Sequence, residues 1–182
     1  LFKADERYRR ISGTQGHYPE NFWGLEKMED SREKMFRIKA MNKMKKSRIV
    51  VSRNFFNKTG IVLSDEHFLS LFETTTARTM LYMMVKNCDD TKSIQNLVEV
   101  IEDLKTILGT SQHLFKDNVI LLHFEDIDSG AIIITFSEFS NHYVEIIKFL
   151  NGNDVVVFQN KGEFGICFEV EEHAYLKTVW GI

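Results

Sequence analysis

At 182 residues, 43% of them hydrophobic and 27% charged, the chain is long enough to bury a core and too apolar to remain an unfolded polar coil. The net charge is −3, no apolar run approaches the roughly 18–20 residues of a membrane span, and no signal-peptide pattern opens the chain. These features argue against membrane association and make an intracellular protein, nuclear or cytoplasmic, the expectation. Beginning at Leu1-Phe2-Lys3 without a Met, the sequence reads as a fragment or a processed product.

Residues 1–33 mix charge, glycine and aromatic side chains without periodicity: Tyr8, Tyr18, Phe22 and Trp23 lie among Gly13, Gly16 and Gly24. This pattern predicts an N-terminal arm, with a short helix from Glu26, and Arg7, Arg9 and Arg10 beside Tyr8 offer it a contact of its own. From Lys34 to Lys58 follow nine basic residues and no acidic one, so the remainder carries 14 basic against 26 acidic residues, a balance of −12. Such polarity marks an oriented electrostatic surface or, more simply, a solvated charge run.

The β-branched run in Arg48-Ile49-Val50-Val51-Ser52-Arg53 predicts a strand, Asn57-Lys58-Thr59-Gly60 a turn, and Ile61-Val62-Leu63 the returning strand. Ser64 is a helix cap, followed by Asp65 and Glu66 where the helix dipole favours acids. The Thr74-Thr75-Thr76 run predicts a break before helix resumes from Met80 to Val85. After a loop at residues 87–90, Ile94, Leu97, Val98, Ile101, Leu104 and Leu108 recur at helical spacing, with Gly109 closing the helix. The second half predicts a strand from Asn118 to Phe124, an acidic turn, a strand from Ala131 to Thr135 and a helix capped by Ser137 that stops at Asn151-Gly152. A hairpin of Asp154–Phe158 with Phe164–Val170 follows, and the segment from Tyr175 to Ile182 packs rather than hanging free.

Displaced by 71 residues, the sequence matches itself without a gap: Ile61-Val62-Leu63-Ser64 falls on Ile132-Ile133-Ile134-Thr135, Phe68 on Phe139 and Phe72 on Tyr143. The expected architecture is α+β: two hairpin–helix (ββα) units form an antiparallel sheet backed by helices, with an N-terminal arm. Residues 34–182 then make one domain, and 48–72 and 119–143 are either duplicated units or a coincidence of two hairpins each followed by a helix.

Gly60-Ile61-Val62-Leu63-Ser64-Asp65-Glu66-His67-Phe68-Leu69-Ser70-Leu71 resembles the strand-to-helix junction of the positive-cofactor transcriptional coactivator family. That resemblance implies a curved sheet backed by a helix, paired with a second such unit and binding single-stranded DNA. The related Whirly proteins duplicate the unit within one chain, which suits the internal offset. The helices expected between Met80 and Leu108 have no counterpart there.

Single strands are held by cations that track phosphates and by aromatic rings on which bases stack. Both occur in one stretch, where Phe36, Phe55 and Phe56 lie among Arg37, Lys39, Lys43, Lys45, Lys46, Arg48, Arg53 and Lys58. The expectation is a binding protein for single-stranded DNA or RNA, with the cations on phosphates and Phe55 and Phe56 stacking bases. The bland alternative is that the two rings are core and the cations solubilise an edge. A different reading is an oligomerising scaffold, of viral matrix-like or nucleocapsid-like type, whose basic segment meets the acidic face of a neighbouring copy. No phosphate-binding loop, nucleophile elbow or zinc-protease motif occurs, so no enzyme, cofactor or metal is expected. Cys88 and Cys167 lack the spacing of a disulfide framework or a zinc site, and His17, His67, His113, His123, His142 and His173 are scattered. Glu125, Asp126 and Asp128 offer carboxylates to a divalent ion, but an Asp-rich turn has its own backbone to bond.

Overall fold

A computed structural model describes residues 22–88 and 91–182, with side chains from residue 31 onward. The aromatic and arginine-rich positions predicted for the arm before residue 22, and the side chains of Phe22 and Trp23, lie outside the described residues. The chain divides at Lys39/Ala40. Helix α1 (Phe22–Thr59) begins in the first unit, so residues 22–33 are helical where an extended segment with a short helix from Glu26 is expected. In that unit Arg37 pairs with Glu33 one turn earlier at 2.6 Å, and Phe36 is exposed.

The unit from Ala40 to Ile182 is α+β, as the sequence predicts, with a six-stranded, open, antiparallel sheet in the order β1-β6-β5-β4-β2-β3. The strands are β1 (Thr91–Ile94), β2 (Asn118–Leu122), β3 (Ile132–Thr135), β4 (Val155–Gln159), β5 (Gly165–Val170) and β6 (Tyr175–Trp180). The helices after α1 are α2 (Leu71–Lys86), α3 (Leu97–Thr110), the single turn α4 (Asp126–Ser129) and α5 (Phe136–Leu150).

Side chains alternate between two cores, one on each sheet face. Val119, Leu121, Val155, Val157, Ile166 and Phe168 join Val51 and Phe55 of α1, Val100, Leu104 and Leu108 of α3, and Phe139, Ile146 and Leu150 of α5. Ile120, Leu122, Val156, Phe158 and Cys167 face the other way, against Ala77, Met80, Leu81 and Val85 of α2. Burial on both faces is why the central strands read as unbroken apolar runs.

The hairpin–helix unit predicted in the second half is present, with Thr135 rather than Ser137 as the cap: it accepts from Glu138 N–H at 3.1 Å while Glu138 accepts from Thr135 N–H at 2.8 Å. Its counterpart at 48–72 differs. Residues 48–59 continue α1, residues 60–64 form no strand, and Ser64 caps a 3-10 turn at Asp65–His67. The internal offset therefore lays a helix over β2. The cause is tertiary: Val51 and Phe55, four residues apart, enter one core together, and that burial overrides the strand preference of Ile49-Val50-Val51.

No break interrupts α2 at its threonines. Thr74, Thr75 and Thr76 each donate a hydroxyl to the carbonyl four residues back, at 2.9, 2.9 and 3.1 Å. Buried Thr74 also accepts from Ala131 N–H at 2.9 Å, tying α2 to the start of β3. The helix expected from Ile94 begins at Leu97, capped by Asn96, and runs one residue past Gly109; Ile94 itself ends β1 against Tyr175.

Candidate nucleic-acid interface

The basic segment from residue 40 onward lies on a helix, so its side chains divide by face. At 3.6 residues per turn, Val51, Phe55 and Thr59 point inward, and the intervening positions form two flanks with a ridge between them. On one flank, Lys45, Arg48, Ser52 and Arg53 line a cleft of about 520 Å³ closed by Leu63, Asp65 and Phe68. On the other, Asn54, Asn57 and Lys58 line a cleft of about 380 Å³ whose far wall is Phe124, Lys148, Phe149 and Asn151. Lys46 stands on the ridge.

Of the eight residues expected to contact nucleic acid that lie in the unit from Ala40 onward, three are committed elsewhere. Phe55 is 0% exposed and meets Phe149 edge-on at 5.0 Å, so it has no face to offer a base; the core reading is the one that holds for this ring. The Arg48 side chain is 12% exposed, donates to Ser129 O at 2.8 Å and Leu69 O at 3.0 Å, and lies 5.1 Å from the Phe68 ring centre. It joins α1 to the approach to β3 and is a structural cation. Lys43 pairs with Asp128 at 2.7 Å. In the unit from Ala40 onward, Lys45, Lys46, Arg53 and Lys58 have no carboxylate partner among the described residues, and Phe56 is 50% exposed. Arg37, paired with Glu33, and Lys39 belong to the first unit.

Lys148 and Phe124, like Asn54, Asn57 and Asn151, line the second cleft without a binding role expected from the sequence. Lys148 and Phe124 lie far from the basic run and reach it only because α5 and the end of β2 pack beside α1. The exposed Phe124 ring is backed by Phe149 at 6.1 Å and His123 at 6.2 Å. His123 is buried: its Nδ1 accepts from Glu125 N–H at 3.3 Å, which leaves Nε2–H to donate to Gly130 O at 3.1 Å. Burial lowers its pKa below the usual range, opposed by the Asp126 carboxylate and the Gly130 contact and reinforced by Arg78. The ring is neutral at pH 7.

The acidic turn is spent on structure. Asp126 is fully buried, accepts from Arg78 Nη2 and Nε at 2.6 and 3.2 Å, and faces His123 N–H at 3.4 Å, while Asp128 holds Lys43. A third cleft, of about 530 Å³ and also bordered by Phe124, lies between α2 and the sheet and presents both signs of charge: Arg78 and Lys86 on the helix, Asp154 and Glu169 opposite. The Glu169 carboxyl is raised by burial and by the neighbouring Asp154 and Glu171. Cys167 is closed off in the core, its thiol pushed up to about 12 by burial first and by Glu169 and Asp154 next, and so is not a nucleophile. Among the described residues no helix is long and apolar enough to cross a membrane.

Neither the curated proteins nor the solved structures contain a match to this sequence. A family model described as YxiF protein matches residues 41–180, which include both clefts and the whole sheet, and the chain belongs to the YxiF protein family.

Proposed function

We propose that this YxiF-family protein is a binding protein rather than an enzyme, and that its partner is single-stranded nucleic acid held along α1. The observation that carries the reading is the distribution of unspent cations. Lys45 and Arg53 enter the cleft on one flank of the helix and Lys58, joined by Lys148 from α5, enters the cleft on the other; Lys46 stands between them. Cations spaced along two adjoining clefts suit a polyanion better than a single small anion. Single strands are named because an exposed ring stacks only on unpaired bases.

A second reading has its own observation. Ile49, Val50 and Phe56 are exposed among Lys45, Lys46 and Arg53, which gives an apolar centre with a cationic rim, the make-up of a protein contact. Its partner would be an acidic protein surface, including that of another copy of this chain.

Titration of labelled single-stranded and duplex oligonucleotides at low and moderate salt, with light scattering on the same samples, tests the first reading against the second. Tight, salt-sensitive binding of single strands by a species of constant mass supports nucleic acid. Absence of binding at low salt, with mass rising as protein concentration rises, overturns it in favour of self-assembly.

A further inference from the structure

The smaller cleft beside α1 differs from the other two in its chemistry. Its lining holds two ammonium groups (Lys58, Lys148), three carboxamides (Asn54, Asn57, Asn151) and the rings of Phe124 and Phe149, and no carboxylate. Among the described residues none of those five polar side chains has a hydrogen-bond or ion-pair partner. An anion entering the cleft meets two positive charges and nothing of its own sign.

The aromatic wall is firm. Phe124 is 47% exposed, borders both this cleft and the one beside α2, and packs against Phe149, which is itself anchored edge-on against buried Phe55 at 5.0 Å. A ring fixed from behind presents its free face to a planar ligand without losing side-chain freedom on binding. The floor is equally defined: Asn151 caps α5 in the left-handed conformation at φ 52°, and Gly152 follows at φ 82°. The carboxamides each carry a donor and an acceptor, the pairing that base edges and sugar hydroxyls present. A cleft of about 380 Å³ falls in the range of small-ligand sites and is large enough for one nucleotide.

From this combination we infer that the cleft seats one nucleotide unit of a bound single strand. Phe124 stacks the base, Lys58 and Lys148 hold the adjacent phosphates, and the Asn54, Asn57 and Asn151 amides bond the base or sugar edge. The inference rests on the nucleic-acid reading above and assigns it a place where a base leaves the strand. An acidic peptide would engage the two lysines but would gain nothing from the free ring face.

The test compares full-length Phe124→Leu, Lys148→Gln and Asn151→Gly with Lys45→Gln/Lys46→Gln in binding a short labelled single strand, with nucleoside monophosphate as competitor. Leucine keeps the packing and removes the π face; glycine keeps the left-handed backbone and removes the amide. The expectation is about tenfold weaker binding for Phe124→Leu, a salt dependence shallower by about 0.7 for Lys148→Gln, and competition by the monophosphate. If the wild type and its Phe124→Leu and Lys148→Gln variants bind equally while Lys45→Gln/Lys46→Gln binds weakly, the cleft is not the seat although the interface reading stands. If the wild type binds no strand, both fall. Tight capture of a polyglutamate peptide that needs Lys148 but not the Phe124 ring assigns the cleft to an acidic protein segment and overturns the inference. Should thermal melting show Phe124→Leu unfolded, the exposed Lys148 and Asn151 positions decide alone.

Discussion

Arg48 shows how a single residue can be mistaken for a ligand-binding group. Its guanidinium satisfies two carbonyls, Ser129 O and Leu69 O, and covers the Phe68 ring. Gly130, at φ 90°, is held to glycine because a side chain there would run into the Leu69 carbonyl that Arg48 bonds. Replacing Arg48 by Met leaves both carbonyls without their donor, and a loss of about 2–3 kcal/mol in denaturant unfolding is expected; Arg48→Lys should recover little, since a point charge does not reproduce the fork. An unchanged midpoint would show that the arginine is free for a ligand after all. His123 supplies a second residue-level prediction. Its folded pKa is depressed by burial, so the unfolded chain takes up the proton first as the pH falls. Its contribution is complete above about pH 6.5 and is lost as the pH falls from there through the folded value. Wild type should therefore lose more stability between pH 7.5 and 5.5 than His123→Gln, which keeps a donor toward Gly130 O; equal losses would refute the assignment. Neither role was legible in the sequence, because a cation in a basic run and a lone histidine look the same whether they face solvent or backbone carbonyls that the fold brings to them.

Among the elements, those whose pattern matched their burial were legible: β4 and β5, the β2–β3 pair, and α5 with its apolar face. Helix α3 was legible as a helix, but its inward face is Val100, Leu104 and Leu108, while Leu97 and Val98 of the expected stripe are exposed. The end of α1 was not legible, because Ile49-Val50-Val51 carries strand preference and the distant core that Val51 and Phe55 join, with Phe149 edge-on to Phe55, decides for a helix. β1 was hidden for the opposite reason: Thr91–Ile94 is an exposed edge strand that pairs with β6 at the far end of the sequence. The helical assignment has a direct test at adjacent positions. Phe55→Ala should cost about 3–5 kcal/mol, while Phe56→Ala and Arg53→Ala stay within about 0.5 kcal/mol. In the strand expected from the sequence over residues 48–53, Val51 and Arg53 share a face, and Arg53→Ala would then be felt as well. Chemical denaturation of the three variants distinguishes the alternatives.

At the scale of the unit from Ala40 onward, the sheet is covered on both faces and α1 closes one of them, which sets the basic run against solvent. The cations left over after the structural ones are subtracted are Lys45, Lys46, Arg53 and Lys58, with Lys148 added from α5. Their role as a polyanion surface is the claim on which the functional account stands. The most direct test is the dependence of single-strand affinity on salt for the wild type and for Lys45→Gln/Lys46→Gln/Arg53→Gln. A polyanion surface requires an affinity that falls steeply with salt in the wild type, and a logarithmic slope shallower by about 0.7 for each charge removed in the variant. Affinity that ignores salt, or a slope that the three substitutions leave unchanged, would contradict it.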